Sequence, residues 1–210
     1  MLRRHFTQAL LATLTLAAVP AAAHAAAPQI DQPAPLFSAT GADGKTINLA
    51  DYKGKTVVLE WTNHECPFVK KHYESGNIPR LQKEAVKQGV VWLQVMSTAV
   101  GEEGYIDGAT ALKVNASRQA VPTAAVLDPQ GKVGRLYGAQ TTPHIFIVDA
   151  QGKLAYKGGI DSIPSARQED IAKAEPYVAN AIKALGAGLK VPQSSTRPYG
   201  CSVKYAPSTQ

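Results

Sequence analysis

The sequence predicts an α/β fold with a central mixed sheet flanked by helices. Apolar runs rich in β-branched residues, at 56–61, 90–96 and 123–127, have the length and composition of buried strands. Segments with helical spacing alternate with these runs, an order that indicates a largely parallel sheet covered on both faces. Two further apolar runs, at 145–148 and 154–157, are separated by a Gly-containing turn and predict an antiparallel hairpin.

The helices are predicted from apolar spacing and from end signals. The predicted segments are 67–75, 77–88, 101–117, 133–137 and 169–185. Pro67 fits the first turn of a helix because its missing N–H costs nothing there, and Gly89 ends the second helix. The last segment is either one long amphipathic helix or a helix broken near Pro176.

The first 25 residues have the pattern of a secretory signal peptide. Arg3 and Arg4 give a positive start, an apolar stretch follows, and Ala23-His24-Ala25 supplies a small-x-small cleavage site. The two arginines also resemble part of a twin-arginine signal, but arginines are common in the charged start of any signal, so the ordinary secretory route is favoured. We therefore expect a periplasmic protein without a stable membrane span, because the apolar stretch is shorter than a transmembrane helix.

The chain length allows one compact domain. The 210 residues divide into a signal peptide (1–25), a main domain (26–186) and a C-terminal tail (187–210). The start of the main domain is rich in Ala and Pro and is predicted to be a mobile lead-in. The tail is rich in Gly, Pro and Ser, shows no regular period and carries Cys201.

The charge pattern argues against several classes of function. The formal net charge of +6 falls to +4 without Arg3 and Arg4, and the lysines form no dense basic stripe, so nucleic-acid binding is not expected. No glycine-rich phosphate loop, paired-histidine zinc motif or serine–histidine–acid arrangement is present in the sequence. The sequence accordingly predicts no cofactor.

Cys66 stands where a predicted buried strand passes into a helix. Orphan backbone N–H groups and the positive end of the helix dipole at such a position lower the pKa of a thiol. His64 and Lys70 are near in sequence and add positive potential, whereas Glu65 opposes it. We expect the pKa of Cys66 to lie below the free value of about 8.5.

Three motifs together resemble a known group of proteins. They are Cys66-Pro67-Phe68-Val69-Lys70 after the strand, Tyr137-Gly138-Ala139 with Thr142-Pro143, and Tyr199-Gly200-Cys201-Ser202-Val203-Lys204. The chain resembles the peroxiredoxin-like proteins of the redoxin group, of the alkyl hydroperoxide reductase/thiol-specific antioxidant type, within the thioredoxin superfamily. The resemblance covers nearly all of the mature chain and implies a thioredoxin-like fold.

The resemblance also implies roles for individual residues. Cys66 is implied as the catalytic nucleophile, and Thr142 with a cis Pro143 is implied to shape the substrate groove. Two interpretations of Cys201 stay open: a thiol that resolves a sulfenate or mixed disulfide on Cys66, or half of a static disulfide. A reactive Cys66 that is not paired with Cys201 is the remaining alternative. The implied partner is a protein or small-molecule thiol, disulfide or peroxide, and the sequence names no electron donor.

The chain departs from the group's motifs at three positions. A thioredoxin has a second cysteine where this chain has Val69, so a local two-cysteine disulfide is excluded. A peroxiredoxin has Thr and Pro where this chain has Asn63 and Leu59. The expected activity is therefore thiol–disulfide exchange or a thiol-dependent antioxidant reaction that uses Cys66, with Cys201 as the candidate resolving thiol.

Two other functions are compatible with the same residues. His64 and Cys66, with His72 nearby in sequence, offer ligand types that copper accepts, although the usual second nearby cysteine is missing. A non-catalytic module that binds a partner peptide in the groove beside Cys66 and Pro143 is the other alternative.

Overall fold

The computed structural model describes residues 27–207, so the predicted signal peptide at 1–25 lies outside the described residues. The strands, in chain order, are β1 (Ser38–Gly41), β2 (Thr46–Asn48), β3 (Val57–Trp61), β4 (Val91–Met96), β5 (Ala124–Leu127), β6 (Thr141–Thr142), β7 (His144–Val148), β8 (Leu154–Gly158) and β9 (Cys201–Ser202). Seven of them form one sheet in the order β2-β1-β5-β4-β3-β7-β8, and β6 pairs with β9.

The sheet is mixed, as the sequence predicts. Strand β3 pairs in parallel with β4, and β4 in parallel with β5, whereas β7 runs antiparallel to both β3 and β8. The predicted hairpin is therefore β7 and β8. Because β3 lies between two other strands and ends at Trp61, the segment that follows it leaves the middle of the sheet.

Helices cover both faces of the sheet. They are α1 (Pro67–Glu74), α2 (Asn77–Lys87), α3 (Gly108–Ser117), α4 (Lys132–Tyr137) and α5 (Tyr177–Gly186). Alternate residues of β3 enter opposite core layers: Leu59 and Trp61 pack with Val133 of α4, whereas Val58 packs with Val178 of α5. This two-sided burial explains why the strand is an apolar run rather than an alternating one.

The structure decides between the two forms of the last helix. Residues Gln168–Lys173 form a 3₁₀ helix, and α5 begins only at Tyr177. Pro176 occupies the N-cap of α5 with φ −86° and ψ 78°, which is not helical, so the segment is broken there. The predicted segment 101–117 is helical only from Gly108, where the Asp107 side chain accepts a hydrogen bond from the N–H of Thr110 (2.8 Å) and caps α3.

Both ends of the described chain pack against the sheet. In the lead-in, the N–H of Asp31 donates to the carbonyl of Leu154 (2.8 Å) and Leu154 donates back to Gln32 (2.9 Å), so this segment is not the free arm that its composition predicts. In the tail, β9 forms where no regular period is visible. Within residues 27–207 we find no helix with the length and apolar character needed to cross a bilayer.

Candidate redox site

Cys66 lies at the N-cap of α1, one short loop after β3. Its backbone is extended, with φ −67° and ψ 123°, and its N–H donates to the carbonyl of Asn63 (3.1 Å). Pro67 then begins the helix, as expected from its fixed φ. Only 3% of Cys66 is exposed, because the tail covers it.

A disulfide joins Cys66 to Cys201, across 135 residues of sequence and with 6.0 Å between the two Cα atoms. The bond that precedes Pro143 is cis, and Thr142 pairs with Cys201 in the β6–β9 ladder. The Sγ atom of Cys66 lies 3.1 Å from the carbonyl oxygen of Thr142. The structure thus brings together four of the residues that the sequence singled out: Cys66, Cys201, Thr142 and Pro143.

The backbone N–H groups in the first turn of α1 do little to stabilise a Cys66 thiolate. Pro67 has no N–H, and the N–H groups of Val69 and Lys70 already donate to the carbonyl of Cys66 (3.0 and 2.9 Å). The dipole of the helix remains and favours negative charge at this end. The carbonyl of Thr142 acts in the opposite direction, because an oxygen dipole beside the sulfur favours the thiol or the disulfide.

The remaining two predicted residues, His64 and Lys70, meet at a third side chain. Nε2 of His64 lies 3.1 Å from Glu65, and Nζ of Lys70 lies 3.0 Å from the other oxygen of that carboxylate. Burial lowers the pKa of His64, although the Glu65 charge works against this, so the imidazole is neutral near pH 7. Positive charge near Cys66 is therefore smaller than the sequence suggests.

A buried group of polar side chains links α1 to the tail beneath the disulfide. We call Lys71, His72, Asp161 and Tyr199 the strap cluster. The Tyr199 hydroxyl donates to the Asp161 carboxylate and lies 3.2 Å from Nε2 of His72. Lys71 Nζ lies 3.7 Å from Oδ2 of Asp161, and the Lys71 side chain is fully buried. The sequence pattern predicts none of these contacts, and it indicates His72 only as a residue near the possible copper ligands.

The charges within the strap cluster are uneven. Burial, with a smaller contribution from the Lys71 charge, lowers the pKa of His72 to about 3, so this imidazole is neutral. Burial and the nearby Asp161 carboxylate raise the pKa of Tyr199, which keeps the phenol protonated. Oδ2 of Asp161 accepts no hydrogen bond from any described residue, so its charge is balanced mainly by Lys71.

A second buried group lies between the sheet and the helices α1 and α2, and its members are hydrogen-bonded to one another. We call Glu60, Tyr73, Gln82, Trp92 and Gln94 the sheet cluster. Glu60 accepts hydrogen bonds from the Tyr73 hydroxyl (2.7 Å), from the Trp92 indole (2.7 Å) and from Gln82 (3.3 Å). Burial nevertheless raises the pKa of Glu60. The visible signal in the sequence is a lone carboxylate inside an apolar strand.

The position that a peroxiredoxin fills with Thr contains a buried amide. The Asn63 side chain accepts from the N–H of Glu65 (2.9 Å) and donates to the carbonyl of Glu103 (3.1 Å), so it fastens the loop before Cys66. In the part of the chain from 27 to 207, no three His, Cys, Asp or Glu side chains are grouped so that they could hold a metal ion. The geometry of the described residues therefore adds nothing to the copper alternative at His64 and Cys66.

Comparison with known families fits this arrangement. The model of the AhpC/TSA family matches residues 30–157, which is more than half of the chain. The chain belongs to the AhpC/TSA family. The matched region of this redoxin-group family includes Cys66 and the cis Pro143 but ends before the tail, so the family match says nothing about Cys201.

Curated relatives have a related activity in their names. The thiol-disulfide oxidoreductase ResA of Bacillus anthracis is 28% identical over 128 residues, which are 60% of this chain and 67% of the relative. ResA of Bacillus cereus (strain ATCC 10987 / NRS 248) is 24% identical over the same share of both chains.

Solved structures match the fold over most of the chain. An uncharacterized conserved protein from Geobacillus kaustophilus has a TM-score of 0.71 and 27% identity, and the match covers 86% of this chain and 94% of that one. A protein from Chlorobium tepidum that is described as a thiol:disulfide interchange protein of the DsbE type has a TM-score of 0.52 and 24% identity. This match covers 62% of this chain and 85% of that one. The AhpC/TSA chain thus has the thioredoxin-like fold that its motifs imply.

Proposed function

We propose that this AhpC/TSA protein is a thiol–disulfide oxidoreductase whose redox pair is Cys66 and Cys201. The observation that carries the proposal is the disulfide between these residues at the start of α1, directly beside the cis Pro143 loop. The tail supplies the second sulfur that Val69 does not. The ResA relatives support the same reaction class.

The reaction transfers two electrons. In the reduced pair, the Cys66 thiolate attacks a partner disulfide, forms a mixed disulfide and releases one partner thiolate, which takes up a proton. Cys201 then loses its proton and attacks the Cys66 sulfur, which releases the second partner thiol and closes the Cys66–Cys201 bond. In the reverse direction, two partner thiols reduce the pair.

We place this reaction outside the cytoplasm, in the periplasm, after removal of residues 1–25. The basic start, apolar stretch and Ala23-His24-Ala25 site support export. A pair of cysteines that forms a disulfide also suits an oxidising compartment.

Exchange with a disulfide fits the site better than reduction of a peroxide. Reduction of a peroxide needs a hydrogen-bond donor beside the sulfur. A peroxiredoxin supplies a Thr hydroxyl, but this chain has Asn63 at that position, and the Asn63 amide already bonds to the backbone of Glu65 and Glu103. The Sγ atom of Cys66 faces a carbonyl oxygen, an acceptor, at 3.1 Å. Neither feature obstructs attack on a sulfur.

The proposal predicts different outcomes for the two cysteines. We expect Cys66→Ser to abolish cyclic exchange with an aromatic disulfide such as dithiobis(nitrobenzoate), leaving at most one reaction at the half-buried Cys201. We expect Cys201→Ser to stop at a stable mixed disulfide on Cys66, which intact mass spectrometry detects. Ser202→Ala is the matched control, because Ser202 is exposed and adjacent to Cys201. Iodoacetamide labelling of Cys201→Ser against pH should give a midpoint below the free value of about 8.5, because the positive end of the α1 dipole favours the thiolate.

Two results would contradict the proposal. A Cys66–Cys201 bond that survives excess dithiothreitol in the folded protein would make the disulfide a static link. A labelling midpoint at or above the free thiol value would show that Cys66 is not activated.

A further inference from the structure

The edge beside Cys66 on which an extended peptide could add a strand is already filled by this chain. We call residues 194–206 the strap. Within it, Cys201 and Ser202 pair with Thr142 and Thr141. A Cβ atom on Gly200 would lie 2.0 Å from the carbonyl oxygen of Thr142, so the strap is seated as closely as a backbone can be. A protein substrate cannot pair with β6 while the strap is in place.

The strap is held on both sides of Cys201 by contacts that do not involve the disulfide. Before it, the N–H of Thr196 donates to the carbonyl of Lys157 (3.0 Å). After it, the N–H of Val203 donates to Gln140 (2.9 Å), and the carbonyl of Lys204 accepts from the N–H of Ala99 (2.8 Å). Reduction of the disulfide therefore leaves the strap seated, and the partner has to reach the sulfurs without displacing it.

A cavity of about 520 Å³ opens next to the strap. It is lined by Thr141, Asp161, Ser162, Pro164, Tyr177, Arg197, Pro198, Tyr199 and Gly200. Gly200 directly precedes Cys201 of the redox pair, and Thr141 pairs with Ser202, the residue that follows Cys201. The volume suits a small molecule rather than a folded partner.

The available charge in this cavity is positive. The Asp161 carboxylate accepts from the Tyr199 hydroxyl and from the N–H of Ile163 (3.1 Å), and its other oxygen faces the buried Lys71. The Arg197 guanidinium is exposed and takes part in none of the ion pairs or side-chain hydrogen bonds formed among residues 27–207. An arginine fork at the rim matches a carboxylate.

We propose that this cavity binds a small thiol that carries a carboxylate, and that this molecule, not an extended protein strand, reduces the disulfide. The inference rests on the proposed function and names its electron donor by chemical class. Cys201 is half-buried, whereas Cys66 is 3% exposed, so the donor thiolate attacks the Cys201 sulfur. The Cys201–donor bond forms, and Cys66 leaves as a thiolate.

A second donor thiolate completes the reaction. It attacks the donor sulfur of the mixed disulfide, so that the donor disulfide forms and Cys201 is released. Two donor thiols are oxidised, the protein disulfide gains two electrons, and the two protons of the donors pass to the cysteines. No other oxidant or reductant takes part.

The test compares donors of different charge on the oxidised full chain. Reduction by glutathione (carboxylates), 2-mercaptoethanol (neutral) and cysteamine (cationic) is quenched by alkylation and followed by mass spectrometry, with rates expressed per thiolate. We expect glutathione to be fastest, its rate to saturate, and S-methylglutathione, which has no thiol, to compete with it. Arg197→Gln should lower the ratio of the glutathione rate to the 2-mercaptoethanol rate about fivefold, the order of one accessible ion pair.

The matched control is Arg80→Gln, which removes the same charge from an exposed position on α2 and should leave that ratio unchanged. Equal rates per thiolate for all three donors, no competition by S-methylglutathione, or an equal loss in both arginine variants would overturn the inference. So would faster reduction by an extended cysteine peptide than by glutathione. These outcomes leave the proposed function intact, because in this experiment that function is contradicted only if none of the thiols opens the disulfide.

Discussion

The sheet cluster and the strap cluster are both buried polar groups that contact α1, but they differ in how completely they are hydrogen-bonded. In the sheet cluster the Glu60 carboxylate receives three donors, and Gln94 donates to Tyr73 (2.6 Å) while accepting from Asn115 (2.6 Å). In the strap cluster an oxygen of Asp161 accepts no hydrogen bond from the described residues.

The difference in hydrogen bonding distinguishes the sheet cluster, which has a structural role, from the strap cluster, which lies beside the candidate redox pair. Fully satisfied buried networks fix a unique packing. The buried Asp161 carboxylate is balanced mainly by the Lys71 ammonium group 3.7 Å away, which stabilises it less than direct hydrogen bonds stabilise Glu60. We therefore expect the sheet cluster to control the stability of the domain and the strap cluster to control the position of Cys201.

Removing one hydroxyl from the sheet cluster should have the largest effect on stability. Tyr73→Phe removes a donor to Glu60 and leaves the Gln94 amide without its acceptor, which should lower the free energy of unfolding by about 3 kcal/mol. Urea unfolding followed by tryptophan fluorescence measures this. Tyr105→Phe, at an exposed tyrosine, is the control and should change it by less than about 0.5 kcal/mol. A loss from Tyr73→Phe as small as the control's would contradict the structural role.

Acid should destabilise the strap cluster through His72. Its pKa is about 3 in the folded chain and near 6.5 when unfolded, so below pH 6.5 the unfolded chain binds a proton that the folded chain does not. Stability is therefore complete above pH 6.5 and falls as the pH drops toward 3, by about 2 kcal/mol at pH 5. The groups facing this imidazole are Lys71, Asp161, Tyr199 and Asn77.

The measurement is the difference in unfolding free energy between pH 7 and pH 5, for the native chain and for His72→Gln. Other titrating groups, including His144, whose pKa burial also lowers to about 3, contribute equally to both chains. The variant should lose about 2 kcal/mol less on acidification. Equal losses would mean that His72 takes up a proton in the folded chain. The Asp161 charge would then have to raise the pKa of His72 by more than burial and the Lys71 charge lower it.

The two clusters also show what sequence reasoning could reach. The strands and the position of Cys66 follow from local patterns: β-branched apolar runs, the turn between β7 and β8, and Pro67 after a strand end. The lone carboxylate of Glu60 inside such a run is a visible signal of a buried polar group. These features depend on residues that are neighbours in the chain.

The strap cluster has no such local signal. Lys71 and Asp161 are distant in sequence, and a lysine on a helix is ordinarily exposed, so only the packing of the tail against α1 buries this pair. The β9 strand has two residues and forms because β6 offers an edge 59 residues earlier, as the Thr142–Cys201 pair shows. The local composition of the tail predicts a loop because nothing within the tail itself forms the strand.

Tyr199→Phe should cause the smallest change in stability. It gives the sharpest contrast with Tyr73→Phe, because it removes the same hydroxyl oxygen from the strap cluster instead of the sheet cluster. The phenyl ring still packs edge-on against Phe68 (5.9 Å between centroids), so the free energy of unfolding should fall by only about 1 kcal/mol.

The strap loses its hydroxyl contacts to Asp161 and His72, and Cys201 is held less firmly beside Cys66. The equilibrium constant for closing the disulfide in dithiothreitol buffers should fall about fivefold. Tyr105→Phe is again the control, since Tyr105 is exposed and lies outside both clusters. If Tyr199→Phe lowers stability as much as Tyr73→Phe and leaves the disulfide equilibrium unchanged, the two clusters have the same structural role and Tyr199 does not position Cys201.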